Sequence, residues 1–422
     1  MTIASPDFDD TTSQMPVAEP TTTPGATLED RISTVGAALG AALNALIDAV
    51  PGDPSGPKEF AGRLGIDKVL SSRLLKAARN RDPMAVAFLA PGPDPMRRVL
   101  RAAARQGVDA EVIQSATDAV RDFEQLIRRD VGDRIALDAM ISFWLPEVRR
   151  EFETRRKQAA FKAMSQLKGV MAETNLATVL LYPSADGVNL DIVWITGLLG
   201  LQRLRPGASV HCTSRRITED GSPRRPVSLS GVPVDGLEGV RLDEFCSSPP
   251  PPLDVIPAGE VVHYRLGDTG YGPRSAVDLV FAEVNRAEMP RYVPREKKRK
   301  GYVFAEVGTP VKTLHFDVFV HKDVYPGSEP ELLIYDTVLE GVADVNDRGR
   351  DIDRLDLVES IEPLGESSAR FRAASIHAYT ALLDHVRSKM GWETAPIRGY
   401  RCRIDYPIYG SQVTMAFDPP AK

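Results

Sequence analysis

Residues 161–182, FKAMSQLKGVMAETNLATVLLY, decide the fold because the chain changes its periodicity within them. Before this stretch, apolar residues recur at spacings of three and four, which is typical of amphipathic helices. After Asn175 the chain becomes a series of short β-branched and aromatic runs bounded by Gly, Pro and Asp, which is typical of strands. The sequence therefore predicts a mostly helical N-terminal half and a strand-rich C-terminal half.

Upstream of this change, a long helix is expected within residues 131–174. Pro146 interrupts its pattern and either kinks the helix or occupies the first turn of a new one. Beyond Pro146 an apolar stripe lies between charged faces, and its members are Val148, Phe152, Ala159, Met164, Leu167 and Met171. A helix of about 25 residues would be roughly 37 Å long, which suits a connecting or dimerisation helix. We therefore expect a homodimer in which this helix takes part.

Downstream, residues 175–422 are predicted to form an α+β region that binds a ligand or a partner. Nine runs have the composition of strands: Ala177–Tyr182, Leu190–Ile195, Val261–Leu266, Ala276–Val284, Tyr302–Val307, Thr313–Val320, Leu332–Tyr335, Tyr400–Tyr406 and Gln412–Phe417. A Pro-rich connection is expected near residues 247–257. One helix is expected from Ser367 to Met390, where Gly391 ends it.

The residues before the long helix divide into two parts. Residues 1–28 are rich in Thr, Pro, Ser and Asp, so we expect a disordered tail. Residues 29–130 have helical patterning in short pieces and are predicted to be a helical DNA-binding-like domain. The predicted fold class is a multidomain chain: an all-α N-terminal half with a helix-turn-helix, a long connecting helix, and an α+β C-terminal half.

The totals exclude several classes of protein. A chain of 422 residues exceeds what one hydrophobic core usually serves, so two or three domains are expected. Three scattered cysteines (Cys212, Cys246 and Cys402) indicate a reducing compartment rather than a disulfide framework. The N-terminus does not have the pattern of a secretory signal, and no run approaches 18 apolar residues. A cytoplasmic protein that does not span a membrane is expected.

The net charge of −6 is distributed unevenly along the chain. Residues 1–56 have a net charge of −7, residues 57–173 of +6, and residues 174–422 of −5. Contacts to nucleic-acid phosphates need a basic surface only where they are made. The distribution therefore permits a nucleic-acid interface in the middle segment of an acidic protein.

Residues 56–80, GPKEFAGRLGIDKVLSSRLLKAARN, carry the most informative pattern in the chain. Ala61 is a small residue where two short helices would cross, and Gly65 suits a tight turn between them. Ile66 would fill the gap between the helices. Asp67 is the expected N-cap of the second helix.

This segment resembles the helix-turn-helix of bacterial transcriptional regulators over about 25 residues. The resemblance implies that the second helix enters the major groove of double-stranded DNA. Leu70 and Leu74 are expected to pack inward, although Ser71 stands where the family pattern has an apolar residue. The expected DNA-binding residues are Lys68, Ser71, Ser72, Arg73, Lys76 and Arg79.

The order of the parts along the chain, with a DNA-binding domain first, then a connecting helix, then a C-terminal region, also resembles that of one-component bacterial regulators. That resemblance implies a sequence-specific transcriptional regulator whose C-terminal region binds a small-molecule effector or a partner. The alternative from a different class is a structural or assembly protein with a helical self-association half and a β-rich interaction half. A metal-dependent enzyme in the C-terminal half is the third hypothesis and the least favoured, because no catalytic constellation is visible.

The run TLHFDVFVHKD at residues 313–323 contains two His and two Asp residues, the side-chain types that a metal-dependent enzyme would need. In a strand, His315, Asp317 and His321 would share one face, with Phe316, Val318 and Val320 on the other. His315 and His321 would then lie about 20 Å apart, too far to share one metal ion. We therefore interpret the run as an exposed polar face over a buried apolar one. No catalytic residue, metal or cofactor is predicted.

Overall fold

The structure is a computed structural model that describes residues 27–52, 56–216, 227–234, 236–259, 261–296 and 298–422. The chain divides into two compact units, Met1–Val148 (unit 1) and Arg149–Lys422 (unit 2). Residues 1–26 of the predicted tail lie outside the described residues. Thr27 does not belong to a tail, because its hydroxyl accepts a hydrogen bond from the backbone of Asp30 and caps the first helix.

The described part of unit 1 is built from helices. They are α1 (Leu28–Asp48), α2 (Pro57–Leu64), α3 (Lys68–Ala78), α4 (Pro83–Leu89), α5 (Pro93–Arg105), α6 (Ala110–Gln125) and α7 (Arg134–Trp144), with a π-helical turn at Leu126–Val131. Three of them begin at a proline, because proline lacks the N–H that a first-turn residue leaves unpaired. Helix α1 packs against α4 and α6 around an apolar core that includes Leu39, Leu43 and Phe123.

Helix α8 (Pro146–Lys168) begins in the last residues of unit 1, and the remaining elements belong to unit 2. The strands are β1 (Val170–Pro183), β2 (Asn189–Arg203), β3 (His211–Arg216), β4 (Leu253–Ala258), β5 (Val261–Leu266), β6 (Val277–Pro290), β7 (Gly301–Glu306), β8 (Val311–His321), β9 (Glu331–Asp336), β10 (Glu362–Gly365), β11 (Ile397–Asp405) and β12 (Ser411–Phe417). One further helix, α9 (Tyr379–Met390), lies between β10 and β11.

The strands form three sheets. Six strands pair in the order β10-β11-β8-β1-β2-β6, and two three-stranded sheets have the orders β7-β12-β9 and β3-β5-β4. Strands β1 and β8 are parallel, whereas the other pairs are antiparallel. The six-stranded sheet is covered on both faces: the small sheets contribute to the core on one face, and α9 packs on the other. This is why long stretches of β1 and β8 are buried on both faces.

The predicted fold class is wrong. About 39% of the molecule is helical and 29% is strand, with a mixed six-stranded sheet where an α+β arrangement had been expected. No separate connecting helix spans 131–174, since α7 and α8 are distinct and α8 ends at Lys168. Gly169 ends it with a φ of +69°, a left-handed conformation that glycine adopts readily, and β1 follows at once.

The side of α8 that packs onto unit 2 is not the predicted apolar stripe. Phe161 is buried, and its ring lies 5.5 Å from that of Tyr406. The buried ammonium of Lys157 pairs with Glu359. Leu167, in contrast, is 75% exposed. The helix therefore packs within its own chain through residues four apart, and part of the predicted stripe faces away from that contact.

The nine predicted strands are all present, whereas β3, β4 and β10 had not been expected. The predicted helix Ser367–Met390 forms only from Tyr379 onward. Before it lie a 3-10 turn at Ser368–Phe371 and an irregular segment in which Ala378 has a φ of +59°. Within the described ranges, no helix is both long enough and apolar enough to cross a lipid bilayer.

Candidate nucleic-acid interface

Helices α2 and α3 are joined by a short turn whose geometry follows from two residues. Gly65 ends α2 with φ +64° and ψ +35°, a left-handed conformation that the turn requires and that glycine adopts without strain. Asp67 begins α3, and its carboxylate accepts hydrogen bonds from the backbone N–H of Val69 and Leu70 at 2.7 and 3.3 Å. The sequence predicted both roles, and the structure confirms them.

Apolar contacts fix α3 against the rest of unit 1. Phe60 and Ala61 of α2 are buried, and Leu74 of α3 is fully buried. Ile66, in the turn, and Leu70 are partly buried and pack against the same core. One side of α3 is thus held inward, which leaves its opposite side for solvent or a partner.

Ser71 is the predicted DNA-binding residue that the structure corrects. Its side chain is fully buried, and its hydroxyl donates a 2.7 Å hydrogen bond to the carbonyl of Pro57. It therefore occupies the inward position where the family pattern has an apolar residue, because the hydroxyl finds a backbone acceptor there. Ser71 joins α3 to the start of α2 and does not reach a DNA groove.

The remaining predicted residues lie at the surface of α3 or at its end. Lys68, Arg73, Lys76 and Arg79 are exposed, and Ser72 is half-buried. Within the part of the chain that the structure describes, none of these four cations forms an ion pair. Their positive charge is therefore available to an anionic partner.

The positive charge of α3 affects a neighbouring residue. Arg134 of α7 is largely buried, and burial lowers the pKa of its guanidinium. Asp138, which accepts a hydrogen bond from Arg134 at 2.8 Å, opposes this shift, whereas the nearby charge of Arg73 lowers the pKa further. The region around Arg73 is thus one where an anion would be favoured.

Helix α5 adds a second row of cations that sequence reasoning missed. Arg98, Arg101 and Arg105 are all exposed, and their spacing of three and four places them on one side of the helix. Arg97, next to this row, is neutralised by Asp94 and Glu124. No such ion pair involves the three exposed arginines in the described ranges. The signal was present in the sequence as the run RRVLRAAAR at residues 97–105.

The two helices meet at a groove of about 650 Å³. Arg73 and Val69 line it from α3, and the three exposed arginines Arg98, Arg101 and Arg105 line it from α5. Asp67 is the one acidic residue in its lining, and that carboxylate already caps α3. Four guanidinium groups around one groove form a strongly basic surface, and the planar fork of each can bind phosphate through two hydrogen bonds.

The polar face of β8 in unit 2 does not form a second site of this kind. His315 and Asp317 are buried beneath α9, so the expected exposed polar face is wrong. Within the described residues, no group of three or more His, Cys, Asp and Glu side chains could hold a metal ion. Burial raises the pKa of the Cys212 thiol to about 11 and that of Cys402 to about 12, so both remain protonated near neutral pH.

Comparison of the chain with protein-family models, with curated proteins and with solved structures finds no match. Three features of unit 1 indicate a function: the capped turn between α2 and α3, the exposed cations of α3, and the arginine row of α5.

Proposed function

We propose that this protein is a sequence-specific DNA-binding transcriptional regulator whose unit 1 contacts double-stranded DNA. The observation that carries the proposal is the groove beside α3, where four exposed arginines from two helices have no acidic partner in the described ranges. A surface of this charge binds the phosphates of nucleic acid. The helix pair that bears it has the capped, glycine-containing turn of a helix-turn-helix.

The two helices have different roles in this proposal. Helix α3 enters the major groove, where Arg73 can pair with a guanine through two hydrogen bonds. Lys68, Lys76 and Arg79 contact phosphates or base edges beside it. The arginine row of α5 follows the sugar–phosphate backbone and fixes the register without reading sequence. The half-buried Ser72 contributes at the margin of this surface.

The proposal is tested by measuring DNA affinity as a function of salt concentration. The DNA is the region upstream of the protein's own gene, and the method is fluorescence anisotropy. Each lost phosphate contact lowers the slope of log K against log salt by about 0.9, so changing Arg98, Arg101 and Arg105 to Ala should lower it by about 2.7. Arg121→Ala is the matched control, because Arg121 is an exposed arginine of α6 that already pairs with Asp118.

Arg73→Ala tests the specific part of the interface. It should cost about 1–3 kcal/mol on the preferred site and relax the preference for one base pair. Lys76→Ala should weaken binding to all sequences alike. The proposal is refuted if the wild-type protein shows no salt-sensitive binding to DNA, or if the triple Ala variant binds as tightly as the Arg121→Ala control.

We further propose that the protein acts as a homodimer in the cytoplasm. Paired helix-turn-helix units bind half-sites about 34 Å apart, so a dimer would recognise a two-fold symmetric site. The exposed Leu167 of α8 is available for such a contact. Light scattering tests this: Leu167→Glu should give monomers, and Leu167→Ala should reduce the dimer less. A wild-type protein with the mass of one chain would contradict the dimer.

A second candidate function, that of an assembly protein, is favoured by one loop of unit 2. Val338, Leu339 and Ile352 are 71%, 92% and 87% exposed. The conformation of the loop is nevertheless fixed, because the buried Arg350 donates hydrogen bonds to the carbonyls of Gly341 and Val342. An exposed apolar surface on an ordered loop is typical of a protein-binding site. If assembly is the function, changing Leu339 and Ile352 to Ser should abolish association and leave DNA affinity unchanged.

A further inference from the structure

Unit 2 contains an open cleft of about 570 Å³ that unit 1 does not contribute to. It lies where β1, β2, β3, β6 and β7 come together, on the face of the six-stranded sheet opposite α9. Its volume falls within the range of small-molecule sites, which is about 300–1,000 Å³. The cleft is therefore large enough for a ligand of metabolite size.

Aromatic rings form much of its apolar wall. Trp194 of β2 and Phe304 of β7 stand edge to face with ring centroids 6.2 Å apart. Phe281 of β6 lines the same cleft beside them. The small residue Ala177 of β1 also lines the cleft. Such walls bind flat apolar groups, and the ring faces also attract cations.

Glu306, at the end of β7, is the acidic residue in the lining of this cleft. Its backbone carbonyl is fixed by a 2.9 Å hydrogen bond from the side-chain amide of Asn175. Within the ranges that the structure describes, its carboxylate forms no ion pair. Neighbouring atoms partly desolvate this exposed residue and raise the pKa of its carboxyl. A cationic ligand beside the carboxylate would stabilise its charged form.

His211 of β3, which also lines the cleft, is compatible with a cationic ligand. Burial lowers the pKa of His211, and the adjacent His263, whose ring centroid is 5.5 Å away, lowers it further. The imidazole is therefore neutral near pH 7 and does not repel a positive ligand.

We propose that this cleft binds a small organic amine, with its ammonium group paired to Glu306 and its apolar body against Trp194 and Phe304. The inference goes beyond the proposed function and gives a chemical class to the small-molecule effector that the sequence predicts for the C-terminal region. The binding itself does not require DNA, so the two proposals can fail separately.

Calorimetric titration of the full chain with 2-phenylethylamine, in the absence of DNA, tests the inference. The amine should give saturable binding near neutral pH. The uncharged analogue 2-phenylethanol and the anion phenylacetate should bind at least about tenfold more weakly, because neither pairs with a carboxylate in an aromatic site. Binding should also weaken as the pH falls through the raised pKa of Glu306, since protonation removes the partner of the ammonium group.

Glu306→Gln keeps the shape of the side chain and removes its charge. It should weaken 2-phenylethylamine binding by at least about tenfold. Glu366→Gln is the matched control, because Glu366 is exposed and does not line the cleft. Circular dichroism checks that both variants are folded. An absence of saturable amine binding, equal binding of the uncharged analogue, or an unchanged affinity in Glu306→Gln would each overturn the inference, whatever the DNA measurements show.

Discussion

Asp317 is a buried carboxylate of unit 2 whose charge is balanced by one guanidinium. Arg401 donates to both of its oxygens, at 2.8 and 2.7 Å, and the hydroxyl of Tyr379 donates to one of them at 2.7 Å. Burial alone raises the pKa of Asp317, but the hydrogen bonds from Arg401 and the nearby imidazole of His315 outweigh it and hold the pKa below its usual value. The alternation of residues 313–323 correctly predicted the two faces of β8. It could not predict that α9 covers the polar face, because Tyr379 of α9 lies 62 residues beyond Asp317 in the chain.

We expect Asp317→Asn to lower the free energy of unfolding by about 3–5 kcal/mol, because it leaves the guanidinium of Arg401 without a counter-charge. Urea unfolding followed by tryptophan fluorescence measures the change. Asp323→Asn, at a half-exposed carboxylate, is the control. Adding Arg401→Met to Asp317→Asn should recover part of the loss. An effect of Asp317→Asn no larger than that of the control would show that the pair contributes little.

Glu306 presents the opposite case, a carboxylate whose pKa is raised by desolvation. A raised pKa in the folded state means that the protein is stabilised at low pH, and that this stabilisation is lost as the pH rises through the folded-state pKa. Glu306→Gln should therefore make the ligand-free protein more stable than wild type at about pH 7 and no different at about pH 4. Glu366→Gln should show no such trend, and a pH-independent effect of Glu306→Gln would contradict the interpretation.

Ser71 serves to separate folding from DNA binding. Ser71→Ala removes the donor to the Pro57 carbonyl and should cost about 1 kcal/mol of stability. DNA affinity, measured well below the unfolding temperature, should not change. The half-buried neighbour Ser72 should show the smaller stability effect when changed to Ala, within about 0.5 kcal/mol. If the Ser71→Ala variant is folded and yet binds DNA more weakly than wild type, Ser71 is part of the DNA interface and the prediction is wrong.

Among the elements, α8 shows what a local pattern cannot specify. The sequence predicted a long helix with an apolar stripe, and the helix is present. Its partners, Glu359 and Tyr406, lie 202 and 248 residues beyond the α8 residues that they contact, so no window around α8 contains them. The end of the helix could have been predicted from the sequence, because Gly169 comes directly before the β-branched Val170.

Phe161→Ala should therefore destabilise unit 2 by about 3–5 kcal/mol, since a buried ring is lost from the contact with Tyr406. Lys162→Ala, at an exposed position of the same helix, should change stability by no more than about 0.5 kcal/mol. Denaturant unfolding of both variants measures the difference. Equal effects would mean that Phe161 contributes no more to the packing of α8 than an exposed residue does.

The strands show a similar limit. Composition predicted nine of them, because β-branched and aromatic runs between turn residues have few other interpretations. Strand β10, with the sequence EPLG, is too short and too polar to be found in this way. Sheet order was not predictable either. The insertion of β8 between β1 and β11 depends on pairings such as Ala177 with Phe316, which no local pattern contains.

At the scale of the whole molecule, the apolar cores are divided by unit, whereas the excess of positive charge is not. Residues 57–173 have a net charge of +6, of which +2 lies in residues 57–148 of unit 1 and +4 in residues 149–173 of unit 2. Unit 1 has its own apolar core, which includes Phe123, and unit 2 has cores on both faces of its large sheet. The sequence predicted the division into a helical and a strand-rich part, although it placed the boundary differently.

Separate cores should give separate unfolding transitions in differential scanning calorimetry. Phe123→Ala in unit 1 and Phe316→Ala in unit 2 form a matched pair, because both rings are fully buried. Each should cost about 3–5 kcal/mol and lower the midpoint of one transition while leaving the other in place. If either substitution moves both transitions together, the units are thermodynamically coupled.

The parallel pairing of β1 with β8 has a consequence for how the protein is made. Strand β1 leaves the ribosome more than a hundred residues before its neighbour β8 begins at Val311. At roughly 5–20 residues per second, the nascent chain spends several seconds or more with that edge of β1 unpaired. Unit 1 can fold in this interval, because its helices are short and its connections local.

Strand β11 must still be synthesised before β8 has a neighbour on its far side. A premature stop codon before Ile397 would therefore release a chain with a folded first unit and an open apolar strand edge. Edges of this kind pair with other chains and aggregate. A chain truncated after β8 but before Ile397 would thus be insoluble even though it retains every residue of the proposed DNA interface.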